Sequence, residues 1–178
     1  MIAYKFLRLD GTAVFSGFPW PLPTNGRAAA WVEAPIDPCR SGVHACRTSD
    51  LPYWAGPVLY EIELDGDIVE QRSKVVAARG RILRQIDEWD ERVAEEYTRM
   101  CANQARELAL GAERPMPDWA DAALAAVPEG PALLGFCAAR IAEEIDGVDG
   151  YRRERETQSR WLVRRLGLGA GRDIEGSG

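Results

Sequence analysis

Alternation of apolar and polar residues in the first 80 positions predicts β-strands. In the segment 2–8, Ile2, Tyr4 and Phe6 are expected on a buried face and Lys5 and Arg8 on the opposite face. Segment 58–64 alternates in the same way, and Asp-Gly pairs at 10–11 and 65–66 are typical of hairpin turns. Shorter strands are predicted at 12–15, 30–34, 42–47, 67–71 and 74–77.

The hydrophobic period changes after Gly80 to spacings of three and four residues, which predicts helices. The first is expected over 82–110, ended by Gly111, and the others over 118–127, 131–145 and 151–166. The predicted fold class is therefore α+β, with a mostly antiparallel twisted sheet of about five or six strands and then about four helices. We expect a β-rich part at 1–80, a helical part at 81–167 that continues the same domain, and a flexible tail at 168–178.

Composition and charge narrow the classes of partner. The chain has 178 residues and a formal net charge of −6, which disfavours binding to a nucleic-acid backbone. No apolar run approaches the ~20 residues that cross a bilayer, and the first residues do not resemble a signal peptide. We therefore expect a cytoplasmic protein with no membrane partner and no cofactor, and the sequence leaves the oligomeric state open.

One long segment is similar to known sequences. Residues 39–47 read CRSGVHACR, and DLPYW at 50–54 and LYEIELDG at 59–66 follow. This pattern resembles a family of uncharacterised small proteins from actinobacteria and their phages, over roughly residues 4–90. The resemblance implies a bacterial, cytoplasmic setting and brings no activity with it.

The only histidine lies in that segment and carries the main chemical hypothesis. On a strand, His44 and Cys46 share one face, with Val43 and Ala45 on the other. His44 could act as a general base and Cys46 as a nucleophile, aided electrostatically by nearby arginines. The alternative is a polar histidine on a sheet face beside a packing cysteine.

Large aromatic side chains lie near this strand in sequence, in a loop rich in proline and glycine. Such rings often line pockets for apolar ligands, although they can also cover the open edge of a small sheet. We expect Trp20 or Trp31 to form one wall of a concave site beside His44. The predicted ligand-binding residues are Trp20, Trp31, Arg40, Arg47 and Trp54.

A metal site is a weaker alternative. Cys39, His44 and Cys46 supply three soft ligands, but their spacing is not one of the paired spacings typical of structural zinc.

A second alternative is an enzyme resembling ADP-ribosyltransferases, which use a Glu-x-Glu strand with an earlier arginine and a serine element. Arg8, Ser16 and the pair Glu61 and Glu63 fall in that order. Solvent exposure alone also places two glutamates in this way.

The sequence thus favours a small enzyme or a small-molecule-binding domain with an aromatic site around His44. The alternative from another class is a non-catalytic interaction module that binds a protein through its helical half. The arginines of the last helix are expected on a solvated face, with local ion pairs or an acidic partner. These arginines are Arg152, Arg153, Arg155, Arg160, Arg164 and Arg165.

Overall fold

The computed structural model describes residues 1–37, 40–112, 117–120 and 130–168. A five-stranded antiparallel sheet precedes the helices, so the predicted α+β class is confirmed. The strands are β1 (Ile2–Leu7), β2 (Val32–Glu33), β3 (Val43–Ala45), β4 (Val58–Gln71) and β5 (Lys74–Gln85). A 3-10 turn (Thr48–Asp50) and the short helix α1 (Leu51–Trp54) follow β3, and α2 (Glu91–Gly111) and α3 (Pro131–Arg165) form the helical part.

The sheet curls back on itself. The strand order is β1-β4-β5, and both β2 and β3 pair with the other edge of β5. Immediately after β3, Cys46 forms two backbone hydrogen bonds with Tyr4 of β1, at 2.8 and 2.7 Å. This bridge brings β3 beside β1 and places His44 next to Lys5.

Both faces of the curled sheet are buried. Tyr4, Phe6 and Leu59 pack on one side with residues of α2 and α3. On the other side, the inward residues of the strands form a second core that Trp20 and Ala29 cover from the loop before β2. The strand residues of this second core are Ala3, Leu7, Val43, Ala45, Tyr60, Ile62, Leu64, Val75, Ala77 and Ile82.

The predicted burial of Tyr4 and Phe6 on one face of β1 is confirmed, but the prediction that the opposite face is exposed was wrong. Ile2, expected inside, is 52% exposed, whereas Ala3 and Leu7 on the opposite face are fully buried. Lys5 therefore lies between two buried residues on the face that was expected to be polar.

Two predicted boundaries also need correction. The Asp65-Gly66 pair is an irregularity within the continuous strand β4, with a register shift against β5, and the hairpin turns after Gln71. Segment 81–85, predicted as the start of a helix, is the end of β5. Its arginines pair across the strands, Arg81 with Glu63 and Arg84 with Glu61, and this cross-strand pairing favours the strand.

The helical part begins later than predicted, at Glu91. The Asp90 side chain caps α2 by accepting a hydrogen bond from the amide of Val93. The two last predicted helices form one element, α3, whose backbone is non-helical at Asp146 and Gly147, where the sequence predicted a break. Most of the predicted helix 118–127 and all of the tail after Leu168 lie outside the described residues, and Leu168 itself is buried. Among the helices that the structure describes, none is long and apolar enough to span a bilayer.

Arg155 joins the helical part to the segment after β3. It was expected on a solvated face but is only 4% exposed, because the rings of Tyr53, Phe136 and Tyr151 surround its guanidinium group. It donates hydrogen bonds to the carbonyl of Pro52 and to Gln158. Through these contacts of Arg155, the helical part fixes the position of α1, the short helix that ends at Trp54.

Candidate functional site

A large cleft opens beside β1 and β3, with a volume of about 1370 Å³. Its lining contains strand residues, the loop that follows β1, α1 and the first residues of α2 and α3. Six Phe, Tyr and Trp rings contribute to the lining: Phe6, Phe15, Phe18, Trp20, Tyr53 and Trp54. The cleft is therefore concave and largely apolar, as in sites that bind small organic molecules.

The aromatic rings are arranged in two edge-to-face pairs. Phe15 contacts Trp54 at 5.7 Å between ring centroids, and Phe18 contacts Trp20 at 5.8 Å. Trp54 is held in place by a 2.6 Å hydrogen bond from its indole nitrogen to the carbonyl of Ser73. Phe15 nevertheless remains 83% exposed, so part of this aromatic surface faces solvent.

Lys5 supplies a cationic group in this apolar setting. Its Nζ donates a 2.7 Å hydrogen bond to the backbone carbonyl of His44 and lies 4.7 Å from the ring centroid of Trp20. No carboxylate among the described residues lies within ion-pair distance of this amine. Burial lowers the pKa of Lys5 to about 8 because water no longer solvates the ammonium.

His44 lies in the cleft lining, as the sequence predicted. Its Nε2 atom is buried and has no hydrogen-bond partner among the residues that the structure describes. Burial lowers the pKa of His44, and the positive charges of Lys74 and Lys5 lower it further. The imidazole is therefore neutral at pH 7, with one nitrogen able to donate and the other able to accept a proton.

Cys46 also lies in the lining but in an environment that opposes the predicted thiolate. It is only 5% exposed, and burial raises the pKa of its thiol to about 12 despite the nearby Lys5 and Arg47 charges. A buried neutral thiol packs as a small apolar group, which agrees with the alternative interpretation of this cysteine.

The two predicted arginines have different positions. Arg40 lies in the cleft lining, whereas Arg47 does not. Arg47 instead donates hydrogen bonds to the carboxylate of Asp50 at 2.7 and 3.1 Å and to the carbonyl of Gln71 at 2.7 Å. It connects the turn after β3 to the end of the β4–β5 hairpin, and this structural role occupies its guanidinium group.

Of the three predicted tryptophans, Trp20 and Trp54 line the cleft and Trp31 does not. Trp31 packs between the guanidinium groups of Arg79 and Arg81, each 4.7 Å from its ring centroid. Both arginines also form ion pairs with β4, so Trp31 belongs to this charged cluster and not to the cleft.

The structure gives no support to either alternative chemistry. Within the described ranges no three His, Cys, Asp or Glu side chains are grouped to hold a metal ion, and Cys39 lies outside those ranges. Glu61 and Glu63 are engaged in ion pairs with Arg84 and Arg81, and neither glutamate lines the cleft.

Sequence reasoning missed Lys5, although two signals pointed to it. The chain contains only two lysines against twenty arginines, so each lysine is unusual. Lys5 also alternates with Ala3 and Leu7, which have the apolar character of a second core face.

In comparisons with known proteins, the chain matches no protein family, no curated protein and no solved structure.

Proposed function

We propose that this protein binds a small organic molecule in the aromatic cleft, with Lys5 and His44 as the polar contacts. On the resemblance of segment 39–66, we place this activity in the cytoplasm of a bacterium. The occupant has an apolar body, preferably a ring, because edge-to-face aromatic pairs line the cleft. It also carries an oxygen acceptor that approaches Lys5.

The observation that carries this proposal is the environment of the Lys5 ammonium. An ammonium group has three donors, and among the described residues Lys5 donates a single hydrogen bond, to the His44 carbonyl. A ligand oxygen would occupy another donor and supply negative charge density beside Lys5, which forms no ion pair with the described carboxylates. The buried Nε2 of His44 offers a second unsatisfied group on the same strand pair.

The alternative of an interaction module that uses the helical half has weaker support. Large apolar side chains are exposed there, but they lie on separate stretches of helix, at the end of α2, the start of α3 and its irregular turn. They are Leu110, Leu133, Phe136 and Val148, and Trp119 is exposed between the two helices. Isolated exposed apolar residues are ordinary on protein surfaces, whereas a cleft lined with rings is not.

Titration with 8-anilinonaphthalene-1-sulfonate tests the proposal, since this probe combines aromatic rings with an anionic oxygen group. We expect saturable binding at one site, with quenching of Trp20 and Trp54 fluorescence. Lys5→Met should raise the dissociation constant roughly tenfold, because a charge-assisted hydrogen bond to the probe is lost.

Matched tryptophan variants make the test specific to the cleft. Trp54→Leu should weaken binding, whereas Trp31→Leu, which removes a tryptophan outside the lining, should leave the dissociation constant unchanged. Thermal melts of each variant exclude binding by partly unfolded protein. Non-saturable binding, or equal effects of the two tryptophan changes, would refute the proposed function.

A further inference from the structure

The chain has few amines, and one of them has an unusual setting. They are the N-terminus, Lys5 and Lys74. The N-terminal amine donates to the carbonyl of Leu64, and Lys74 lies 5.9 Å from the ring centroid of Trp54. Both lysines line the cleft, but only Lys5 lies on a strand face between two buried residues, Ala3 and Leu7.

The surroundings of Lys5 resemble those that make a lysine nucleophilic. A lysine that has lost solvation and lacks a carboxylate partner holds its proton weakly. The pKa of about 8 leaves roughly a tenth of Lys5 as the free amine at pH 7, against less than about a thousandth for an ordinary lysine. The single hydrogen bond to the His44 carbonyl orients the side chain without neutralising its charge.

We propose that Lys5 forms a reversible imine with an aldehyde or ketone bound in the cleft. This inference rests on the proposed function, because it names the class of ligand that the same site takes. It follows from the position of Lys5 on the cleft wall, its lack of a described acidic partner and its contact with the Trp20 ring.

The step is balanced without a further reagent. The lone pair of the neutral Nζ attacks the carbonyl carbon, the nitrogen loses one proton and the carbonyl oxygen gains one, which gives a carbinolamine. The nitrogen then loses its second proton as the oxygen leaves as water, which forms the C=N bond, and hydrolysis reverses the reaction. His44 belongs to the same lining, and its neutral imidazole is able to give and accept these protons.

Reductive trapping tests the inference with a defined probe. The intact protein is incubated at pH 7.5 with 4-formylbenzoate, which carries a ring, a carboxylate and an aldehyde, and sodium cyanoborohydride reduces any imine to a stable amine. Peptide mapping by tandem mass spectrometry then assigns the adduct among the three amines, the N-terminus, Lys5 and Lys74. We expect Lys5 to be modified at least roughly ten times faster than Lys74.

Three controls separate this inference from the proposed function. Lys5→Arg keeps the positive charge but cannot form an imine, so the fast phase should disappear while the variant still folds. Trp31→Leu, outside the lining, should label at the wild-type rate. A saturating concentration of 8-anilinonaphthalene-1-sulfonate should slow labelling of Lys5 but not that of the N-terminal amine, which lies outside the lining.

The outcomes are distinguishable. Labelling of Lys74 as fast as Lys5, or labelling of Lys5 that the anilinonaphthalene probe does not slow, would overturn the imine inference. If that probe still binds and Lys5→Met weakens its binding, the proposed function stands without the imine. If the probe does not bind and Lys5 is not modified, both proposals fail.

Discussion

Replacing Lys5 by methionine, which has a similar length but no charge, should stabilise the protein at neutral pH. The folded protein holds the ammonium in an apolar environment, and burial lowers its pKa from 10.5 to about 8. Solvation lost by the charge is the cause, and a thioether loses far less on burial.

The magnitude follows from the two pKa values. At pH 7 the difference corresponds to about 3 kcal/mol of stability lost relative to a chain in which Lys5 is fully solvated. Removing the hydrogen bond to the His44 carbonyl costs about 1 kcal/mol in the variant. Lys5→Met should therefore raise the free energy of unfolding by about 1–2 kcal/mol at pH 7.

The pH dependence gives a more specific signature. Between about pH 8 and pH 10.5 the unfolded chain keeps the Lys5 proton and the folded protein has lost it, so the unfolded state binds more protons. Stability must then rise with pH in this window. From pH 7 to pH 9 the wild type should gain about 1 kcal/mol relative to Lys5→Met.

Urea denaturation at pH 7, 8 and 9, followed by circular dichroism, measures both effects. Cysteine and tyrosine ionisations are common to the two proteins and cancel in the difference. If Lys5→Met is less stable at pH 7 and the difference between the proteins does not change with pH, then Lys5 is solvated and the reasoning fails.

The other predictions concern groups that hold the site. Asp50 is 2% exposed and accepts three hydrogen bonds from Arg47. Asp50→Ala should therefore lower the free energy of unfolding, measured by urea denaturation, by about 3 kcal/mol. A loss below about 1 kcal/mol would contradict this structural role. Gly150→Ala would place a methyl group against a backbone carbonyl of α3 and should cost about 2 kcal/mol or more. Gly111→Ala, whose methyl group would meet no atom within 4 Å, should be neutral or slightly stabilising. Similar melting temperatures for the two variants would refute this contrast. His44→Ala should cost less than about 1 kcal/mol in thermal melts, because its Nε2 has no described partner to lose, and a loss above about 2 kcal/mol would identify a structural histidine.

Local patterns predicted most of the strands and the position of His44. Alternation in segment 58–64 placed Tyr60, Ile62 and Leu64 on one buried face, and all three lie in the second core. Residues 43–45 likewise form a strand whose inner side chains are buried. These predictions succeeded because each face of a strand has one kind of neighbour along its length.

The errors arose where tertiary contacts decide between two local patterns. Ile82 and Ile86 are four apart, which is compatible with a helix, but the ion pairs of Arg81 and Arg84 with strand β4 cannot be seen in a local window. The Asp65-Gly66 pair suits a hairpin turn, yet the strand continues because β5 is long enough to pair beyond it. Similarly, alternation cannot show that a lysine faces a second core when the covering loop lies elsewhere in the sequence.

The exposed rings and the buried ammonium are best explained by the same occupant. Phe15 lies largely in water, and the Lys5 charge lowers stability by about 3 kcal/mol. A ligand ring that covers about 100 Å² of apolar surface between Phe15 and Trp54 would contribute about 2.5 kcal/mol. An oxygen acceptor, or an imine that removes the need to solvate a free ammonium, would offset much of the cost at Lys5. Because a ring alone or an anion alone satisfies only one part of the cleft, ligands that carry both should bind more tightly than either fragment.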